Sequence, residues 1–298
     1  KSTISSDYTL GGSSLLVSDG SNPNYRNRLY AVNSSTVVRI SLTDIPSSGI
    51  VPAGKIPEEA TINKVYLYWS GWIDYHYAYK SGSSYSWQEI PALKYPSSPT
   101  PANLATLIQG AKVNMVNFKV GTTNTSSQIV TCSNTAGSSK WQIASAWDTD
   151  KYTWAYSCFV DVTNLVLPGG NTTVQQYIEN AMKTGGAGSV TFTVGNANVG
   201  SFRTDYPSYN FTLYNTGQKT GYPLGTPATK LPSGESSYQG RYEWSCADWS
   251  LIIFYSSPGL VQRQLYLYDD LWYVGAPPAQ TLLFTIGSFL APPVISSS

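Results

Sequence analysis

Short segments in which hydrophobic and polar positions alternate recur along this chain and predict β-strands. In residues 64–69, the apolar side chains of Val65, Leu67 and Trp69 alternate with tyrosines on the other face of an extended chain. β-branched and aromatic residues are frequent in these segments, as a half-buried pleated surface favours. Further strands are predicted over residues 113–120, 189–194, 264–268 and 281–289.

Residues 249–255 differ from these segments because they are almost continuously apolar. Such a run is typical of a strand that is buried on both faces. We therefore predict that this segment is a strand covered on both faces.

Helices are predicted to be few and short. The best candidate covers residues 172–183, where Thr172 or Thr173 can cap the first turn and Gly185 can end the helix. A second short helix is predicted over residues 102–109. Turn-rich stretches between the strands predict long loops, which is where an all-β scaffold carries binding residues.

These elements together predict an all-β protein, a β-sandwich or jelly-roll-like fold with long loops and one or two short helices. We find no internal repeat and no linker that divides the chain, so residues 25–298 are interpreted as one β-sandwich domain with a C-terminal strand over residues 281–290. Residues 1–24 are polar and rich in Gly and Ser, and we interpret them as an N-terminal extension that could place a strand against a neighbouring subunit.

The composition predicts a protein surface that carries little charge. Only 12% of the residues are charged, where soluble domains usually carry about 25%. The 18 Lys and Arg are balanced by 17 acids, which disfavours a nucleic-acid partner and leaves little repulsion between copies. No run of 18 apolar residues is present, so the sequence predicts no membrane span.

Several features indicate an exported protein at the cell surface or outside the cell. The chain begins at Lys1 without Met, which we interpret as a processed N-terminus whose signal peptide has been removed. Its three cysteines lack metal or haem spacing, so one disulfide and one leftover thiol are expected, with the pairing open. Free thiols at all three positions are the alternative. The cysteines are Cys132, Cys158 and Cys246. Four sequons offer possible glycosylation sites at Asn33, Asn124, Asn171 and Asn210.

Residues for catalysis or metal binding are sparse. The single histidine, His76, lies among aromatic residues and has no neighbouring nucleophile in its motif, so we predict no enzyme activity. Asp148 and Asp150 could hold Ca²⁺ together with backbone carbonyls, although Asp in turns explains them equally well. No other cofactor is expected. Adjacent carboxylates such as Asp269 and Asp270 would point to opposite faces of an extended chain and would not converge.

Aromatic residues cluster in two regions that are predicted to be loops. Exposed rings of this kind stack on sugars or become buried at protein interfaces, although many are simply core. The candidates for surface contacts are Tyr75, Tyr77, Tyr79, Trp87 and Trp154.

Three segments together resemble an uncharacterised β-sandwich domain of large bacterial and archaeal cell-surface proteins, which often precedes repeated β-sandwich modules. They are residues 60–71, residues 158–166, and residues 249–255 continuing to 265–271. The resemblance spans about residues 56–290. It implies export, a β-sandwich core and a cell-surface setting, and it carries no catalytic residue to this chain. The segment 172–183 departs from the pattern as an insertion.

The leading hypothesis is a structural subunit of an extracellular filament, sheath or surface layer, which associates with copies of itself through β edges and aromatic-rich surfaces. The alternative is a monomeric adhesin or carbohydrate-binding module with glycans as partners. A secreted glycan-active enzyme is a third reading, and it would require two carboxylates facing each other roughly 5–10 Å apart.

Overall fold

The fold was analysed in a computed structural model of the 298-residue chain. The structure describes residues 5–18, 29–31, 36–74, 76–81, 84–89, 94–122, 126–145, 153–183, 188–195, 247–261, 265, 267 and 269–271. In chain order the strands are β1 (Ser6–Ser14), β2 (Leu16–Ser18), β3 (Leu29–Ala31), β4 (Thr36–Thr43), β5 (Lys55–Pro57), β6 (Thr61–Asp74), β7 (His76–Ser81), β8 (Ser84–Glu89), β9 (Met115–Val120), β10 (Gln128–Thr131), β11 (Ser139–Ser145), β12 (Thr153–Asp161), β13 (Ser189–Gly195) and β14 (Ala247–Ser256). The helices are α1 (Pro101–Gly110) and α2 (Val174–Lys183).

Two five-stranded sheets form the body of the molecule. The first sheet has the strand order β1-β14-β6-β12-β11 and is antiparallel throughout. The second sheet has the order β10-β9-β13-β4-β5 and is antiparallel except for the parallel pair of β4 and β5. Two small hairpins, β2–β3 and β7–β8, complete the described strands.

The sheets pack face to face, because one continuous cluster of buried side chains draws on both of them. In β6, Val65, Leu67 and Trp69 are buried as their alternation predicts. They share the cluster with Phe118 and Phe192 of the second sheet. The prediction of an all-β sandwich with few helices is therefore confirmed.

Close contact between the sheets at one edge depends on glycine. A Cβ on Gly11 of β1 would lie 2.3 Å from Val38 Cγ1 of β4, closer than real atoms approach. On the same side of β1, Thr9 Oγ1 accepts a hydrogen bond of 3.0 Å from the Gly54 N–H. β1 is thus both the edge strand of the first sheet and part of the seam between the sheets.

Both predicted helices are present, and each begins after a threonine cap, of which only the cap of α2 was predicted. Thr100 caps α1 through a reciprocal pair of hydrogen bonds with Asn103. Thr173 caps α2, since its Oγ1 accepts from the Gln176 N–H at 3.2 Å. Val174, Ile178 and Met182 form the buried face of α2. Gly185 lies outside the described residues.

Two strand predictions need correction. β14 was predicted to be buried on both faces; it lies between β1 and β6, but buried and less buried positions alternate along it. It is therefore covered fully on one face only. The strand predicted over residues 264–268 is not formed where it is described, since Leu265 and Leu267 have no strand conformation. The predicted strand over residues 281–290 lies outside the described residues.

The N-terminal extension predicted over residues 1–24 contributes Ser6–Ser14, which pairs with β14 of its own chain. The interpretation of residues 25–298 as one domain, and the contact of the extension with a neighbouring subunit, stay predictions. In the described part of the chain, no helix is long and apolar enough to cross a membrane.

Candidate functional site

The outer face of the first sheet, opposite the core, carries a continuous strip of aromatic rings. Tyr8 and Phe254 lie with ring centroids 6.1 Å apart, and Phe254 and Tyr66 meet edge to face at 5.6 Å. Tyr66 then meets Phe159 edge to face at 5.0 Å, and Phe159 meets Tyr68 at 5.1 Å. We call these five residues the aromatic strip. It crosses β1, β14, β6 and β12, four of the five strands.

Strand register explains why these rings meet. Tyr8 lies directly opposite Phe254, and Phe159 lies directly opposite Tyr68. Residues that are directly opposite each other in a sheet share a face and contact each other, so the register aligns rings from distant parts of the sequence.

The margin of the strip at β1 is the most exposed part of this face. Tyr8 is 47% exposed and Leu10, which lies opposite Ile252, is 53% exposed. Tyr66, Phe159 and the neighbouring rings are half-buried against one another. Burial, followed by the nearby charge of Asp269, raises the pKa of Tyr68, so its hydroxyl stays protonated.

The outer face of the second sheet has a different character. Thr193 lies opposite Lys119, and Thr191 lies opposite Arg39. Its apolar positions include Val37 and Ile129, both more than half exposed. Polar and cationic side chains are therefore mixed with single exposed apolar ones on this face.

Beyond Tyr68 the outer face of the first sheet becomes polar and forms an open groove of about 330 Å³. Its lining combines hydroxyl, carboxylate, aromatic and aliphatic side chains. The residues are Tyr68, Trp69, Ser70, Ser157, Asp248, Ser250, Ile252, Leu267, Asp269 and Asp270. We call this feature the polar groove.

Hydrogen bonds hold two walls of the polar groove in place. Ser70 Oγ donates to Asp248 Oδ1 at 2.6 Å across the β6–β14 pair. On the other side, Gln142 Nε2 donates to Asp270 Oδ1, and Lys140 Nζ donates to the Asp269 carbonyl oxygen at 3.4 Å. The segment that contains Asp269 and Asp270 is thereby fastened to β11. Both aspartates line the same groove, which the expectation for an extended chain did not foresee.

An ion pair lies beside the aromatic strip. Lys64 Nζ and Asp161 Oδ2 are 2.7 Å apart. Burial of Asp161 acts to raise its pKa, but hydrogen bonds from Lys64 and Thr163 outweigh burial and hold the pKa below its usual value. The hydrogen bond to Asp161 raises the pKa of Lys64 in turn.

The aromatic residues that were predicted to make surface contacts lie in different parts of the structure. Trp154 is 0% exposed and packs edge to face on Tyr156 at 6.2 Å, so it belongs to the core and not to a contact surface. Tyr77, Tyr79 and Trp87 lie on the β7–β8 hairpin. Tyr75 is outside the described residues.

The glycosylation and metal predictions fall largely outside the described residues, including Asn33, Asn124, Asn210, Asp148 and Asp150. Asn171 is exposed in the turn before α2. His76 opens β7. Among the residues that the structure describes, no group of three or more His, Cys, Asp or Glu side chains is arranged to hold a metal ion.

Of the predicted disulfide candidates, Cys132 and Cys158 are described, and both are buried free thiols. Cys132 is 1% exposed and Cys158 is 0% exposed. Cys246 lies outside the described residues.

The alternation in residues 64–69 predicted that Tyr66 and Tyr68 share the face opposite Val65, Leu67 and Trp69. It did not predict which other rings lie beside them. The missing members come from strands about fifty to two hundred residues away in the chain. Only strand pairing and register reveal that they are neighbours.

In comparisons with known proteins, no family model, no curated protein and no solved structure matches this chain. The resemblance to a cell-surface β-sandwich domain therefore stays a prediction. Functional inference depends on the geometry of the outer face.

Proposed function

We propose that this protein is a structural subunit of an extracellular filament, sheath or surface layer, whose copies contact one another through the outer face of the first sheet. The observation that carries the proposal is the aromatic strip. A sheet face that remained in solvent would be expected to carry mainly polar side chains.

Exposed apolar surface of this kind supports a role in protein contact. Scattered exposed hydrophobic residues are normal, whereas a contiguous patch marks an interaction surface. The strip is contiguous from Tyr8 to Tyr68, and aromatic side chains are the residues enriched at protein interfaces.

Charge and edge structure favour a second copy as the partner. The formal net charge is +1, so copies repel one another little. Among the described strands, none pairs with the outer edge of β1. β1 contains neither Lys nor Pro, the residues that commonly protect an exposed edge, and its only charged residue, Asp7, is buried. Tyr8 and Leu10 belong to the same strand, so the outer edge of β1 adjoins the exposed margin of the aromatic strip.

A pair of matched variants tests the proposal. Leu10→Lys places a charge on the exposed margin of the strip, and Ile129→Lys places the same charge on β10, an edge strand of the second sheet, at a position 59% exposed. We expect Leu10→Lys to raise the concentration at which assembly begins by about tenfold or more, which corresponds to about 1.4 kcal/mol. Ile129→Lys should leave it unchanged.

Assembly is measured by sedimentation velocity and electron microscopy over a concentration series, and circular dichroism verifies that both variants fold. Unmodified protein that stays monomeric at the highest soluble concentration would overturn the proposal. Equal effects of the two lysines would overturn the assignment of the contact to this face.

The polar groove favours a second candidate function, a monomeric adhesin or carbohydrate-binding module. Tyr68 offers a ring for stacking on a sugar, and Asp248, Asp269 and the serines offer acceptors and donors for sugar hydroxyls. This function predicts saturable binding to a defined glycan. Asp248→Ala should abolish that binding while the protein stays folded, and a broad glycan panel without any binding would exclude this function.

A further inference from the structure

Two cysteines from different sheets meet inside the core. Cys132 directly follows β10 of the second sheet, and Cys158 lies within β12 of the first sheet. Both side chains belong to the same buried core cluster.

Backbone contacts place both cysteines beside the same backbone segment, residues 113–114. The Cys132 N–H donates to the Asn114 carbonyl oxygen at 2.7 Å, and Cys158 Sγ lies 3.8 Å from the carbonyl oxygen of the adjacent Val113. Cys132 Sγ in turn lies 3.4 Å from the carbonyl oxygen of Phe159, the residue after Cys158. The proximity of the thiols therefore follows from backbone pairing and not from a flexible side chain.

The two thiols differ in acidity. The neighbouring Cys158 side chain lowers the pKa of Cys132, and backbone hydrogen bonds lower it further against the effect of burial. Burial raises the pKa of Cys158 well above its ordinary value. In the folded protein Cys132 therefore loses its proton more readily than Cys158.

The structure describes the dithiol form of this pair. We propose that Cys132 and Cys158 are the disulfide-forming pair of this protein, which links the two sheets and leaves Cys246 as the unpaired cysteine. This assigns one of the three pairings that the sequence leaves open. It does not depend on the proposed assembly, and it requires an oxidising compartment.

The reaction needs a disulfide as the oxidant. The Cys132 thiolate attacks one sulfur of a donor disulfide, the donor S–S bond breaks, and the first donor thiolate leaves. The Cys158 thiol loses its proton and attacks the Cys132 sulfur of this mixed disulfide, which releases the second donor thiolate. Two protein thiols are oxidised to one disulfide, and the donor is reduced to two thiols. Because both side chains are buried, the exchange takes place before the core closes.

Peptide mapping of the full chain tests the assignment. The denatured, reduced chain is refolded in a buffer of oxidised and reduced glutathione, free thiols are then blocked, and the protein is digested without reduction. We expect one cross-linked peptide that joins Cys132 to Cys158, with Cys246 carrying the blocking group. A cross-link that includes Cys246, or three blocked cysteines, would overturn the proposal.

Two variants separate the three pairings, and Cys246→Ser does so without changing either core cysteine. Cys246→Ser should retain the cross-link and its mass, lower by two hydrogens than the reduced chain. It should also unfold at a higher urea concentration when oxidised than when reduced. Two blocked cysteines in oxidised Cys246→Ser would contradict the assignment. Cys132→Ser should lose the cross-linked peptide that the unmodified chain forms, and an unchanged cross-linked peptide in that variant would overturn the assignment.

Discussion

Lys64 and Asp161 form an ion pair whose partners differ in exposure. The Lys64 side chain is 47% exposed, whereas that of Asp161 is 12% exposed. Asp161 Oδ1 also accepts from the Thr163 N–H at 3.0 Å, and Thr163 Oγ1 accepts from the Val65 N–H at 2.9 Å. The carboxylate therefore joins an exposed cation to a buried backbone contact at the end of β12.

The lowered pKa of Asp161 gives this pair a defined pH dependence. A carboxyl whose pKa is lower in the folded state stabilises the fold above its unfolded pKa of about 3.8, and this contribution is lost as the pH falls through the folded pKa. The raised pKa of Lys64 acts oppositely, so its contribution is present below about 10.5 and is lost at higher pH. Both contributions are thus present between these values.

Asp161→Asn tests this pH dependence because it removes the charge and keeps the shape and the oxygen that faces Thr163. We expect the variant to be less stable by no more than about 1 kcal/mol near neutral pH, since the pair is partly exposed. The difference should shrink towards zero as the pH falls below 3.8. Urea unfolding over a pH series measures it, and a difference that is constant with pH would show that the charge of Asp161 contributes nothing.

Helix α2 stabilises the first sheet through the backbone of one residue. Glu179 Oε1 accepts from the Ile62 N–H at 3.2 Å, and Gln175 Nε2 donates to the Ile62 carbonyl oxygen at 2.9 Å. Ile62 lies next to the place where the register of β6 and β14 shifts. The two side chains thus satisfy backbone groups near the irregularity, and the position of α2 matters for the end of β6.

The cap of α2 is the simplest way to test that role. Thr173→Ala removes the hydroxyl that accepts from the Gln176 N–H, and we expect it to lower the free energy of unfolding by about 1 kcal/mol. Thr172→Ala is the matched control, since Thr172 supplies its backbone carbonyl to Leu167 and should lose little. Denaturation of unglycosylated protein avoids interference, because Thr173 also completes the sequon of Asn171. Equal stability of the two variants would show that the Thr173 hydroxyl does not cap α2.

Elements with a strong local signal could be predicted from the sequence, and elements defined by pairing could not. β6 and both helices have periodicity or caps in their own residues. β1 has Gly11 and Gly12 and little apolar alternation, so its strand conformation depends on its pairing with β14. Residues 249–255 were predicted to be buried on both faces because Ile252 and Phe254 are apolar. Their outer side chains are half-buried against other rings of the same face, and periodicity cannot distinguish that situation from a second core.

For the whole molecule, the two sheet faces that point away from the core differ in chemistry. The first presents the aromatic strip and the polar groove side by side, and the second presents Arg39 and Lys119 among shorter side chains. Trp154, which the sequence suggested as a contact, is in the core, whereas Phe159 of the same strand lies in the strip. Composition predicted a surplus of rings, but only the fold shows which of them reach the surface.

The response of assembly to salt follows from this division. Contacts through aromatic rings on a chain of net charge +1 gain little from long-range electrostatic attraction. Raising sodium chloride from about 0.01 M to about 1 M shortens the screening length from roughly 30 Å to 3 Å. We expect that this change does not dissolve the assemblies. Sodium sulfate should lower the concentration at which they form, because excluded salts strengthen apolar burial. Light scattering across both salt series measures this. Leu10→Lys should become sensitive to sodium chloride, since screening relieves the repulsion between its new charges. Assemblies of the unmodified chain that dissolve in sodium chloride would instead place the contact on Arg39, Lys119 and the acidic groove.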